Sequence, residues 1–388
     1  MRDQRKHLPV NWIDGMKINK AHFIAQDNAW QDALHDAATL SVSPLRFGIL
    51  PPSVAGDDSF DVTISYDNQQ MLRVHIRSCQ AITSGGVRIM LPALAGTNTS
   101  TGLPPSSYPL SASSGEQVYW VVLVVNPFDR QPSGSPDLAE SPPRLPGIVP
   151  AYAVQVVSDS QYRQYAAHPY ALTIGKVLIN GNDIRVDENY IPPCYSVNAH
   201  PDLLTLHGEL DGFLGSLEQR CSQIVQKIFR KSQQNELSDL VLFLCDRVML
   251  FLGTSITAMR WMVPYESPAT LFEPIVSLAR VMKNTIDLRT GTGKDEMMNY
   301  FSEWSELKQG EFLAMLSGLS AFSFDNNDLD RNIQKIVQFV RVTGKLFETL
   351  SNLEFIGKRK DTGIFVKEEI NDQNQTESAQ KQRRRFFG

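Results

Sequence analysis

VDENYIPPCYSVNAHPDLL, residues 186–204, marks the point at which the character of this 388-residue chain changes. Two successive prolines fix the backbone and remove two N–H donors, which ends any strand pattern running into them. On the N-terminal side, short segments rich in β-branched and aromatic residues are separated by Gly, Pro, Ser and Asn. FDVTISYD (60–67) and MLRVHIRS (71–78) alternate apolar and polar side chains across NQQ, as a half-buried hairpin does. VRIMLP follows Gly85 and Gly86, and VYWVVLVVNPF (118–128) is nearly continuous in apolar residues, the pattern of a central strand covered on both faces. AYAVQVVS and ALTIGKVLINGNDIRVD complete the set, with INGNDI as a tight turn. These segments predict an antiparallel β-sandwich or barrel.

On the C-terminal side the period becomes helical. Leu203, Leu206, Leu210, Phe213 and Leu217 recur in steps of three and four, then drift to Cys221, Ile224 and Ile228, which suits a long straight helix in a bundle better than a two-stranded coiled coil. A second helix spans about 236–263. A third carries Phe272, Ile275, Ala279, Met282 and Ile286, a fourth Met297, Phe301, Trp304, Phe312 and Met315, and the last Leu329, Ile333, Ile336, Val340, Phe347 and Leu350. The expected organisation is a β-sandwich domain with an opening helix over 1–198, a helical bundle over 199–356 and a polar tail, disordered by composition, over 357–388.

Ahead of the β region, VNWIDGMKINKAHFIAQ (10–26) gathers Trp12, Gly15, Met16, His22 and Phe23 close to the start of the chain. Asn19 is placed to cap a helix whose Phe23, Trp30, Leu34 and Ala38 share a face that should pack on the sheet. Two insertions, 95–116 and 129–147, have the composition of loops unable to bury enough surface to fold alone.

A formal charge of −5 provides no general attraction to nucleic acid or anionic lipid. Cys79, Cys194, Cys221 and Cys245 lie far apart without a CxxC pair, which fits a reducing cytoplasm and neither a zinc ribbon nor a disulfide framework. The basic N-terminus leads into no apolar run of the kind an export signal needs. LVLFLCDRVMLFLG (240–253) is the greasiest stretch, but Asp246 and Arg247 interrupt it, so a buried helix is expected rather than a membrane span.

Signatures of catalysis are scarce. TGTGKDE (290–296) lacks the first glycine and the Ser/Thr of a phosphate loop and reads as a turn between helices; GxSxG, HExxH and GxGxxG are absent. His200, His207 and Asp202 make only a weak metal set, His22 lacks a partner fixed by spacing, and Asp187 with Glu188 reads as a solvated strand edge. No catalytic, metal or cofactor residue is assigned. The end, SAQKQRRRFFG (378–388), differs in kind: Lys381, Arg383, Arg384 and Arg385 precede Phe386 and Phe387, the make-up of a short docking peptide or of a solvated terminus, with a phosphate-binding patch as a weaker third reading.

The opening stretch resembles the N-terminal V-x-W-x-E-G-M-x-L-x-P-Q-H-F pattern of the TssK family, trimeric baseplate adaptors of bacterial type VI secretion. Val10, Trp12, Gly15, Met16, His22 and Phe23 match it, Asp14 and Ile18 are conservative replacements, and Lys17, Lys20 and Ala21 depart from it. VDENYIPPC is similar to the family's D-E-x-(F/Y)-I-P-P-C junction, through Asp187, Glu188, Tyr190, Ile191, Pro192, Pro193 and Cys194. ESPATLFEPIVSLARVM (266–282) is a weaker echo of its H-P-x-x-L-Y helix, with Ser267 and Arg280 out of pattern.

The resemblance implies a β domain like the shoulder of phage receptor-binding proteins, a helical neck, and a non-enzymatic homotrimer in the cytoplasm at the inner face of the membrane. Its partners would be the wedge proteins TssF and TssG and a membrane-complex component of unknown identity, with no nucleic acid bound and no insertion into the membrane. Trp12, Gly15, Met16, His22, Phe23, Ile191, Pro192 and Pro193 become interface or structural residues. The family's C-terminal head has no counterpart in the residues after the last helix, so the QRRRFFG tail is expected to substitute as a linear docking segment. A phage-tail-like adhesin or other ligand-binding sandwich is the second expectation, and a hydrolase of unrecognised type the third.

Overall fold

The computed structural model describes residues 6–53, 59–67, 69–92, 102–110, 116–181, 183–233, 235–289, 292–304, 308–357 and 385–387. The chain forms two compact units: Met1–His200 with Tyr265–Ala269 and Phe324–Asp330, and Pro201–Pro264 with Thr270–Ser323 and Arg331–Gly388.

The first unit opens with α1 (Lys20–Ala38), capped by Asn19, whose side chain accepts hydrogen bonds from the backbone of Ala21 and His22 while His22 Nδ1 accepts from the Asn19 N–H. Strands β1 (Gly48–Ile49), β2 (Phe60–Tyr66), β3 (Met71–Ile82), β4 (Arg88–Leu91) and β5 (Ser106–Pro109) make an antiparallel sheet with β3 at its centre. In β3, Leu72, Val74 and Ile76 are buried, and then Cys79 and Ala81. The switch from even to odd positions follows from a bulge at Arg77, which has no partner between the pairs Val62 with Ile76 and Asp61 with Ser78.

The second sheet, also antiparallel, has the order β7-β6-β8-β9, built from β6 (Glu116–Ser133), β7 (Gly147–Ser158), β8 (Ala171–Asn180) and β9 (Asp183–Val186). Helix α2 (Asp159–Ala166) joins β7 to β8. The inner strand β6 buries Trp120, Val121, Val122 and Leu123 in succession, as expected of a strand covered on both faces. Trp120 stacks on Tyr162 at 4.2 Å between ring centroids and donates from Nε1 to Asp159 at 2.9 Å, and Tyr162 bonds Thr173 at 2.9 Å, so the polar edges of this aromatic core are satisfied.

Two of the expected loops are shorter than their composition implied. Within 95–116, Ser106–Pro109 pairs with β3, and Tyr108 donates its hydroxyl to the Val154 carbonyl at 2.5 Å; residues 95–101 and 111–115 lie outside the described residues. Within 129–147, β6 continues to Ser133 opposite Gly147 of β7, which leaves 134–146 as the connection. Pairing with an available partner overrides weak intrinsic β-propensity in both places.

The second unit is helical: α3 (Pro201–Arg230), α4 (Glu236–Trp261), α5 (Ala269–Asp287), α6 (Thr292–Trp304), α7 (Gln309–Ser320) and α8 (Leu329–Asn352), except that Ala269 of α5 and Leu329 and Asp330 of α8 belong to the first unit. The α3 stripe is Leu203, Leu206, Leu210, Leu214, Leu217, Cys221, Ile224 and Ile228; Leu214 and not Phe213 continues it, because a step of four from Leu210 keeps the stripe on the inner face. The segment read as one fourth helix is two, α6 and α7; Phe301 and Phe312, one on each, lie 6.2 Å apart between ring centroids. Helix α4 has the length and composition of a membrane span, yet Leu240, Val241, Leu244, Val248 and Leu252 are buried while Asp246 and Arg247 are exposed. Lys227 donates to the carbonyls of Ser351 and Leu353, so an α3 cation completes the C-terminal turn of α8, and Arg220 donates to the Gly344 carbonyl, two turns earlier, at 2.7 Å.

Candidate functional site

The opening stretch is held at the surface by polar bonds rather than by an apolar underside. Asp32 of α1 accepts from the backbone N–H groups of Lys6 and His7, at 3.0 and 2.7 Å, and from the His7 ring at 2.9 Å. Burial opposes its ionisation, but the His7 and Lys6 hydrogen bonds outweigh that and hold its carboxyl below the usual aspartate range. One turn earlier on the same face, Arg130 of β6 grips the helix through Asn28 at 2.8 Å and the adjacent Asp27 at 3.1 Å.

This attachment turns the apolar face of α1 outward. Phe23, Trp30 and Leu34, spaced by seven and four residues, were expected to pack on the sheet; they are 58%, 63% and 62% exposed. Leu8, Trp12, Ile13, Ile18 and Leu40 are exposed as well. Trp12 lies 6.2 Å from the rings of both His22 and Phe23, Gly15 turns the chain at φ +79°, and Met16, half-buried, donates its N–H to Ile13 at 3.3 Å. So many large apolar side chains exposed on one short segment are unusual for a protein surface.

Ile191, Pro192, Pro193 and Cys194 are all buried. The Pro193 carbonyl accepts the Ile49 N–H at 2.7 Å, Tyr195 donates to the Ile49 carbonyl at 2.9 Å, and Cys194 bridges Ile49 in parallel. Gly48 of β1 lies so close that a Cβ there would stand 1.9 Å from the Pro193 oxygen. Tyr190 donates its hydroxyl to the Asn327 carbonyl at 3.0 Å, and Asn326 donates to the Phe47 carbonyl at 2.8 Å. This segment is a structural pin inside its unit. Sequence reading missed its partner Phe324–Asp330; the run of Asp and Asn there carries no apolar pattern that would mark it as part of a packed unit.

A cavity of about 820 Å³ opens beside the C-terminal half of α1, lined by Lys6, Asp32, His35, Asp36, Tyr170 and Asp325 among others. Burial pushes the His35 imidazole below its ordinary value, against the pull of Asp32, and the ring bonds Gln31 at 2.9 Å. A histidine converges here with carboxylates, but Asp32 is already committed to the Lys6–His7 segment.

The weaker motifs fall elsewhere. His207 Nε2 bonds the Met259 carbonyl at 2.8 Å, and Asp187 accepts the Asn189 N–H at 3.1 Å in a turn. Thr292, Gly293, Lys294 and Asp295 form the first turn of α6, where Lys294 pairs with Asp287 at 2.7 Å. All four cysteines are buried thiols, and burial pushes those of Cys79 and Cys194 upward, Cys79 to about 12. Of the tail residues singled out, Arg383 and Arg384 lie outside the described residues; Phe386 and Phe387 donate their N–H groups to Glu209 of α3.

Residues 151–281 match the family model described as Bacterial Type VI secretion, VC_A0110, EvfL, ImpJ, VasE. That third of the chain contains the IPPC segment and all but the last residue of the 266–282 echo, and over it the likeness to the TssK family holds; the opening motif lies before it. No curated protein matches the sequence. Among solved structures, a crystal structure of TssK is 14% identical over 88% of this chain and 69% of its own, with a TM-score of 0.49. TssK from the type VI system of EAEC, in complex with nanobody nb18, is 14% identical over 85% and 98%, with a TM-score of 0.43. A chain of the TssK-TssF-TssG baseplate subcomplex is 17% identical over 90% and 100%, with a TM-score of 0.40.

Proposed function

We propose that this chain, similar over residues 151–281 to the type VI secretion family model, is a structural adaptor of the secretion baseplate. The observation that carries the reading is the exposed apolar face of α1 with the Trp12–Phe23 stretch before it, on an element fastened beneath by Asp32 and Arg130. A rigidly mounted apolar surface is what a subunit presents to a permanent neighbour. Covering Trp12, Phe23, Trp30 and Leu34 would return roughly 1.5–3 kcal/mol for each side chain, enough to offset much of the entropy cost of association.

In this reading the two antiparallel sheets pack as a sandwich that grips the wedge proteins TssF and TssG, the helical unit is a neck, and the chain assembles as a homotrimer on the cytoplasmic side of the membrane. The Arg385–Phe387 end serves the membrane-complex partner. No catalytic role is assigned.

Co-purification with a TssF–TssG complex tests the wedge surface. Trp30→Glu combined with Leu34→Glu should abolish co-purification while leaving the thermal midpoint of the chain unchanged; retained binding would count against this surface. The cavity near His35 favours a second reading, a ligand-binding module. A thermal-shift screen with small anions, cations and sugars that raises the midpoint, lost in Tyr170→Ala, would favour it over the adaptor.

A further inference from the structure

The backbone N–H of Phe386 donates to both carboxylate oxygens of Glu209, at 3.1 and 3.0 Å, and that of Phe387 donates to Oε2 at 3.0 Å. Both groups belong to the helical unit. Two N–H donors converging on one carboxylate are charge-assisted, stronger and more directional than neutral amide bonds. Glu209 is placed to receive them: its neighbours Gly208 and, one turn on, Gly212 carry no side chain to crowd it.

The surroundings match the tail in charge. Between residues 201 and 219, α3 carries Asp202, Glu209, Asp211 and Glu218 and no Lys or Arg, and Asp211 is already paired with Arg260 at 2.8 Å. The docked residues end a sequence that has three consecutive arginines and no acid among its last eleven residues. The 27 residues 358–384 can reach at most about 90–97 Å, against about 27 Å along α3 from Glu209 to Lys227, whose Nζ meets the Leu353 carbonyl, so the linker is long enough for the contact to form within one chain. An intramolecular tether makes even a weak contact highly occupied.

We propose that the Glu209 face of α3 is the docking surface for this chain's own Arg385–Phe387 end, which it holds back until a partner of that end displaces it. The inference rests on the docking role given to the tail above. It adds that the tail is latched at rest and that its partner binds in competition with α3.

The test uses the full-length chain with a benzoylphenylalanine photo-crosslinker in place of Phe387, mixed with an equal amount of heavy-isotope-labelled unmodified chain. Irradiation should link position 387 to the α3 peptide containing Glu209 in the unlabelled copy, and Glu209→Ala should lower that yield at least fivefold with an unchanged circular-dichroism melt. Links to the labelled copy, links that avoid α3, or a yield indifferent to Glu209→Ala would each overturn the latch. As a second measurement, trypsin should cleave at Arg383–Arg385 at least fivefold faster in Glu209→Ala than in the parent; equal rates would overturn it too. No baseplate partner is present in either experiment, so their failure removes the latch alone, whereas failure of the adaptor reading shows in the TssF–TssG co-purification.

Discussion

Gly48 has φ +117°, and the Pro193 oxygen stands where its Cβ would be. Gly48→Ala therefore combines left-handed backbone strain with a backbone overlap that neither partner can relieve by rotating a side chain. It should destabilise the first unit by about 2–4 kcal/mol, read from urea unfolding. The sequence showed an ordinary Phe-Gly-Ile; only the position of the IPPC segment, far along the chain, makes that glycine necessary. His35 is a second case, governed by pH. Its folded pKa is depressed, so the unfolded chain takes up a proton first, near the ordinary value of about 6.5. Stability is complete above that value and declines as pH falls from it toward the folded pKa. Thermal midpoints at pH 8 and pH 5.5 should fall further in the parent than in His35→Gln. Asp32, depressed in the opposite charge sense, contributes in full above its unfolded value of about 3.9 and loses its contribution as pH drops below that.

Helix α1 shows what an element's own sequence settles and what it leaves open. Asn19 as its cap was legible from residue type and position, and Asn19→Ala should cost about 1 kcal/mol, detectable as a lower melting temperature. The apolar stripe was equally legible, but its direction was not: hydrophobic periodicity says that a face is covered, without saying by what. Arg130 and the Lys6–His7 segment, remote in sequence, decide which way α1 is turned. The same limit explains β5, whose Ser-Ser-Tyr-Pro is a strand only because β3 offers an edge. The long helices were read almost residue for residue, since a stripe of fully apolar positions over several turns leaves one solution; Leu214 in place of Phe213 is the kind of slip that a large aromatic near the stripe invites.

At the scale of the molecule, the change from β to α near residue 200 was visible as a change of period, and the likeness to a secretion family rested on motifs that lie on both sides of it. The candidate site was legible as a list of residues and not as a surface, because exposure is a property of the folded chain. Light scattering coupled to gel filtration should give three chain masses for residues 1–388. Removing residues 358–388 should leave that mass state and the TssF–TssG interaction intact while abolishing contact with the membrane complex; undiminished contact would remove the tail from that role. The first unit also takes pieces from beyond residue 264: Arg46 pairs with Glu266 at 3.2 Å, and the buried Asn326 donates to Phe47. A ribosome must therefore make all of α3 to α7 after the last strand before the β sheets receive their last strap. Until Asn326 arrives the Phe47 carbonyl is left to water, and a bond between residues 279 positions apart is the kind of long-range closure that comes late and slows folding.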